Sequence, residues 1–259
     1  MKISLPLKIF ATIAAAVITL PLIALLTKVS WNHIFSNLNE GNALAAIKLS
    51  IWTSTLSALL ALLLGVPLGW YLAKSRGRLS DLIRPLVLAP IVLPPTVAGI
   101  ALISLMGRNG LIGKYIFQST GWAMPFTSSA VVLAGVFVGM PFVVLICESN
   151  FRQLPKEIED AAIIDRADGN ELFQKIALPQ SRSAITTGAI LAWARAIGEF
   201  GATLMFAGSL PGSTQTWTMF IYQELDVNSE VAYSLSAVML FIAIAIVFFL
   251  RKPLREAMR

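Results

Sequence analysis

The sequence predicts an all-α integral membrane protein with six transmembrane helices. Three observations carry that expectation: 56% of the 259 residues are hydrophobic and 13% charged, the mean hydropathy is +0.75, and the apolar residues gather into six long runs. A soluble domain carries roughly a quarter charged residues, so a water-soluble globular fold is excluded. Crossing about 30 Å of hydrocarbon takes about 20 mostly apolar residues at 1.5 Å each. The runs lie near 9–27, 49–73, 85–106, 129–147, 184–207 and 231–250. They are continuous, whereas a transmembrane β-barrel is built from short alternating segments, so helices are the expected spanning elements.

In the first run, Lys2 and Lys8 precede an apolar stretch in the manner of a secretory signal. The stretch is longer than a signal core and no small-residue cleavage site follows before Lys28, so a retained anchor helix is expected. The second and fourth runs carry Gly65–Gly69 and Gly135–Gly139, an i, i+4 spacing that lets helices approach, with packing inside one subunit the expected use. Pro67, Pro90, Pro94, Pro95 and Pro141 are expected to bend their helices. Trp31, Trp122, Trp217 and Tyr222 fall at outer boundaries, where aromatic anchoring is expected.

The fifth run holds Arg195 and Glu199, four apart and able to neutralise each other on one helix face. A bare charge at mid-membrane costs about 2.5–3.5 kcal/mol, so the pair should face protein or water. It either lines a translocation path or clamps the structure. Thr96, Gly99 and Ser104 in the third run, with Thr186, Thr187 and Thr203 in the fifth, are the candidate wall of a polar path; close helix packing by small residues is the competing explanation.

Outside the runs, fifteen Lys and Arg residues fall on the side that bears both termini, and four (Lys28, Lys48, Arg108, Lys114) on the other. By the positive-inside rule both termini are expected in the cytoplasm, and the net charge of +6 is explained without nucleic acid. The single Cys147 and single His33 exclude a disulfide framework, a cysteine zinc site and Cys/His catalysis. The expected organisation is an anchor and first outer loop over 1–43, a transmembrane domain over 44–250 and a basic tail over 251–259.

Between the fourth and fifth runs, the stretch at about 148–183 holds seven acids and five bases and is too long for a structureless turn. Pro155 suits a first helical turn, while Ile158, Ala161, Ala162 and Ile164 give a short apolar face. Gly169-Asn170 interrupt it, and a second helix is expected from Glu171 with Asn170 as its cap. This is a helix–turn–helix facing the cytoplasm.

From Asp160-Ala161-Ala162, through Arg166, to Ile176-Ala177-Leu178-Pro179, the spacing resembles the cytoplasmic signature of permease subunits of type I binding-protein-dependent ABC importers. That signature reads Glu-Ala-Ala, three residues, Gly, nine residues, Ile, any residue, Leu-Pro; here Asp160 replaces Glu and Arg166 stands at the usual Gly. Ala194-Arg195-Ala196-Ile197-Gly198-Glu199-Phe200-Gly201-Ala202-Thr203 resembles the molybdate and tungstate branch. Leu93-Pro94-Pro95-Thr96, Met106 to Gly113 and Pro211 to Thr216 extend the resemblance, which covers about residues 44–250.

The resemblance implies a homodimeric permease importing molybdate or tungstate by alternating access, in the cytoplasmic membrane. Two ATPase subunits, carrying the ATP and Mg, and an extracytoplasmic oxyanion-binding protein would be its partners. Glu157, Ile158, Asp160, Ala161, Ala162, Arg166, Gly169, Leu178 and Pro179 would form the ATPase-coupling surface. No cofactor, metal or catalytic residue is expected in this chain. The glycines between Gly107 and Tyr115 miss the phosphate-loop spacing. Sulfate or thiosulfate cargo is the nearest alternative. A gradient-driven transporter would call for acids in several runs, and an intramembrane enzyme for a nucleophile or acid–base pair beyond Arg195/Glu199.

Overall fold

The computed structural model describes residues 4–157, 164 and 168–257, with side chains described up to residue 249. The described residues are helical, without strands. Four helices are long and apolar enough to cross a membrane: α1 (Leu5–Thr27), α3 (Ala43–Lys74), α7 (Ser128–Arg152) and α11 (Ser229–Ala257), the last through its segment Ser229–Phe249. A short α2 (Ile34–Leu38) joins the first two.

The third and fifth predicted spans are each two helices meeting at a sharp bend, which corrects the expectation of continuous helices there. α4 (Arg78–Leu88), extended by a 3₁₀ turn at Ala89–Ile91, meets α5 (Pro95–Met106) at 119°. The cause is Pro94-Pro95: neither donates an N–H, and Pro94 sits in an extended conformation that ends helical progress. α5 has 12 residues, about 18 Å of rise, and alone is too short to cross. Beyond α6 (Gly113–Thr120) and α7, the fifth span divides into α8 (Arg182–Ile197) and α9 (Gly201–Ala207), bent by 62° across Gly198-Glu199-Phe200. α10 (Trp217–Val227) leads into α11.

The core is the crossing of α3, α7 and α8, and glycine makes it close. A Cβ on Gly135 would collide with the Ser57 side chain of α3, and one on Gly139 would lie 3.0 Å from the Ala192 carbonyl oxygen of α8. Gly69 likewise meets the α7 backbone at Glu148. The paired glycines thus serve packing inside one subunit, as the spacing suggested. Ser57 Oγ donates across the contact to the Val132 carbonyl at 2.9 Å. A second cluster joins Ala43, Ala46, Trp217, Phe220, Val231 and Leu235; a third joins Leu102, Ala130, Val131, Ala134, Phe206 and Ala207. Trp217 is therefore a core residue, 1% exposed, and not a boundary anchor, whereas Trp31, Trp122 and Tyr222 are exposed.

Candidate translocation and coupling site

At the α8–α9 break the helix axis turns across Gly198–Phe200, yet the Gly198 N–H still reaches the Ala194 carbonyl at 3.3 Å, the Glu199 N–H the Ala196 carbonyl at 3.2 Å, and the Phe200 carbonyl accepts from Leu204 at 2.8 Å. Lipid-buried polar groups must find partners in protein. Glu199 adds two more: its Oε1 accepts from the Ala202 N–H at 2.8 Å, and its own carbonyl accepts from Thr218 Oγ1 of α10 at 2.9 Å. The other carboxylate oxygen pairs with Arg195 Nη1 at 2.5 Å. Glu199 is 2% exposed and Arg195 about one-third. The expected pair forms, but across the end of α8 and not along one helix face. One carboxylate neutralises a cation and caps the first turn of the next helix, where an anion is favoured.

The candidate wall residues separate into groups. Gly99 is buried in the α5–α9 contact, where a Cβ would lie 2.5 Å from the Met205 Cβ; Thr203 is buried on α9. These two serve the packing of the short legs against each other. Thr96 and Ser104 are exposed on α5, with Ser104 Oγ bonded to the Ile100 carbonyl. Thr187 is buried and Thr186 exposed on α8, each bonded to the carbonyl four residues earlier. They lie about two turns from Arg195, so the eight positions do not form one cluster.

Of the residues expected to form a coupling surface, Ile158, Asp160, Ala161, Ala162 and Arg166 lie outside the described residues. Glu157 and Pro179 are exposed, and Gly169 has open space around it. The following helical stretch starts at Gly169–Glu171 with Asp168 as its cap: Asp168 Oδ1 accepts from the Glu171 N–H at 2.7 Å. Asn170 instead accepts from Gln174, which corrects the predicted cap. Lys175 bonds Glu171 at 2.6 Å, holding that carboxyl below its ordinary range, while the same bond raises the Lys175 ammonium. The backbone widens to a π-helix over Leu172–Ala177 before Leu178–Gln180, which accommodates Pro179 where an α-helix would need its N–H. Ala177 is fully buried, Leu178 packs on the core, and Phe173 joins Trp70 and Phe151 at ring distances of 5.5 and 6.2 Å. The apolar half of the signature thereby fastens this stretch to the ends of α3 and α7.

Sequence reasoning missed a charged joint beside that anchor. Glu148, 7% exposed at its side chain, accepts from Arg84 of α4 at 2.8 Å and from Arg152 of its own helix at 2.8 Å. Both guanidinium groups also donate to the Leu72 carbonyl of α3 at 3.2 Å. The i, i+4 spacing of Glu148 and Arg152 was the available signal. Also missed were α6, α10 and the hydroxyls buried along α3, of which Ser50 accepts from the Trp217 N–H at 2.7 Å.

A bundle with two broken spans, a charged pair at one break and a helical stretch anchored between the fourth and fifth spans is built as a polytopic membrane transport component. The chain belongs to the family described as the binding-protein-dependent transport system inner membrane component, which matches residues 65–254. It is 38% identical to the molybdenum transport system permease protein ModB of Mycobacterium tuberculosis over 230 residues, 89% of this chain and 87% of that one. It is 37% identical to ModB of Azotobacter vinelandii (71% and 81% covered) and 31% identical to the sulfate transport system permease protein CysW of Synechococcus elongatus (85% and 77%). Its fold matches a chain of a bacterial alginate ABC transporter, in complex with an alginate pentasaccharide-bound periplasmic protein, with a TM-score of 0.75 at 14% identity (95% and 92% covered). The MetNI methionine ABC transporter gives 0.63 at 15% identity (83% and 95%).

Proposed function

We propose that this chain is the permease subunit of an importer for molybdate, or its congener tungstate, working as a homodimer with both termini in the cytoplasm. The observation that carries the cargo is the 38% identity to a molybdenum permease over 89% of the chain, higher than the 31% to a sulfate permease. Energy comes from ATP hydrolysed, with Mg, on two separate subunits docked at Glu157 to Gly169, and an extracytoplasmic binding protein delivers the anion. Stripping water from a dianion is costly, so the path it follows must be polar and hydrated. Thr96, Ser104 and Thr186, exposed in one subunit, are its wall in this reading, and Arg195–Glu199 braces the break beside it. Asp160 to Arg166 fit the ATPase groove and transmit its closure to the spans.

The test is purification of the tagged chain from its native membrane, followed by reconstitution with the ATPase that accompanies it and an oxyanion-loaded binding protein. Molybdate-loaded protein should stimulate ATP hydrolysis and molybdate uptake more than sulfate-loaded protein does. Stimulation by sulfate alone would move the chain to the sulfate branch. A chain that purifies alone and moves solute without ATP would overturn the proposal.

A further inference from the structure

We propose that the joint of α3, α4 and α7 is a binding site for an anionic phospholipid, with the headgroup phosphate in a basic cavity and the acyl chains along α4. The cavity, about 550 Å³, opens where α3 and α7 end and α4 begins, the level at which spans leave the bilayer. Among the described residues its lining carries Arg76, Arg84, Arg152 and Lys156 with one acid, Asp81, while Lys74 at its edge is engaged by the Phe151 carbonyl at 3.2 Å and the Trp70 ring. Glu148, behind the wall, is already shared by Arg84 and Arg152, so one internal carboxylate serves two guanidinium groups, and among the described residues positive charge is in excess at the cavity. Asp81 is 74% exposed and 3.5 Å from Arg84, a weak counter-charge.

The second observation is independent of charge. α4 turns 119° away from α5, so the two do not run through the bilayer as one rod. Leu79, Leu82 and Leu86 stand at i, i+3 and i+7 on one side of α4, and each is 61–64% exposed. The opposite side carries buried Ser80 and the inward-reaching Arg84. A helix apolar on one face and charged beside it is the form that lies in a membrane interface. Basic groups beside an exposed leucine stripe match a phosphodiester beside acyl chains, whereas a free inorganic anion would leave the stripe without a role.

The double variant Arg76→Gln/Lys156→Gln tests this, because both side chains line the cavity, are exposed, and take no part in the Glu148 ion pairs. Wild type and variant are placed in phosphatidylcholine nanodiscs with graded phosphatidylglycerol, and bound lipid is counted by native mass spectrometry after ejection. Each basic residue near an anionic surface contributes about 1 kcal/mol, so the double variant should bind phosphatidylglycerol about 30-fold more weakly. Leu82→Ser should weaken it as well while leaving inorganic phosphate unaffected. Equal retention of phosphatidylcholine and phosphatidylglycerol by wild type would overturn the proposal. So would an unchanged affinity in the double variant. Phosphatidylglycerol binding that inorganic phosphate displaces and that Leu82→Ser leaves unchanged would assign the cavity to a soluble anion and refute the lipid.

Discussion

Replacing Glu199 by Gln separates its two tasks. The amide oxygen of the variant can still accept from the Ala202 N–H, now 2.8 Å from the carboxylate, so the first turn of α9 keeps its cap. What disappears is the charge opposite Arg195 at 2.5 Å. An uncompensated arginine in the middle of a span costs about 2.5–3.5 kcal/mol on insertion scales. Arg195 is about one-third exposed in the single chain, so water or a neighbouring polar surface reaches it and the cost falls to about 1–2 kcal/mol. Glu199→Ala removes the cap too and should add about 1 kcal/mol. Arg195→Gln leaves a 2% exposed carboxylate with one backbone donor, so it should be more damaging than Glu199→Gln. The double variant Arg195→Gln/Glu199→Gln should recover part of the loss, with a coupling of about 1–2 kcal/mol, the range for residues in direct contact. The assay is thermal unfolding in one detergent, followed by aggregation and by tryptophan emission. Single variants that unfold with the wild type, or losses that add with no coupling, would refute the view that this pair closes the break.

Gly135→Ala should lower the unfolding temperature, since the added carbon meets Ser57; overpacking a tight contact costs about 1–3 kcal/mol, and Gly77→Ala, with nothing within 4 Å, is the matched neutral control. Cysteine placed at Thr96, Ser104 or Thr186 in a Cys147→Ala background should react with a membrane-impermeant thiol reagent, while Thr187→Cys and Thr203→Cys stay unlabelled until unfolding; inert Thr96→Cys and Ser104→Cys would show that the outer face of α5 meets lipid or protein and not a hydrated path. Phe173→Ala removes one ring from the Trp70–Phe151–Phe173 group and should raise proteolysis between 155 and 180 several-fold with little change in the transmembrane core. The Glu171–Lys175 bond lowers the carboxyl and raises the ammonium, so its contribution is complete above the unfolded glutamate value of about 4.3 and below the unfolded lysine value of about 10.4. It is lost as pH falls through the lowered glutamate value or rises through the raised lysine value. Protection factors of amides 172–177, corrected for intrinsic exchange, should therefore be flat from pH 5 to 9.

The helices that could be read from hydropathy alone were those whose apolar runs fall in one uninterrupted helix. α3, α7 and α11 cover their expected runs and continue past them, α3 mainly at its start from Ala43 and α7 and α11 at their polar ends. The breaks at Pro94 and Gly198 were not readable as breaks, since hydropathy averages over a window and both sides of each break are apolar. Pro94-Pro95 signalled a bend but not its angle, which depends on α5 packing against α9 through Gly99 and Gly201. Arg195 and Glu199 were legible because any charge inside an apolar run demands a partner. Glu148 was not, because it lies where the apolar run ends, and only the fold brings Arg84 to it from 64 residues away.

The break between α8 and α9 shows one physical solution. A helix interrupted inside a membrane exposes donors and acceptors that lipid cannot satisfy, so an interruption persists only where other elements supply partners. At Gly198–Phe200 the Ala194 and Ala196 carbonyls hold two N–H groups, and the Glu199 carboxylate and Thr218 add side-chain partners on the far side of the turn. Side-chain partners can follow a backbone through a change in angle, whereas a continuous helical ladder would have to be broken at each change. Gly201, whose Cβ would lie 2.6 Å from the Pro95 Cβ, locks the start of α9 to the start of α5, so the two short legs meet at the two breaks. If the legs tilt together during transport, the hinge axis passes near Pro94 and Glu199, and bulk at Gly201 should arrest it. Gly201→Val should then leave ATPase association intact and abolish uptake, while unimpaired uptake by a stably folded Gly201→Val chain would refute a shared hinge.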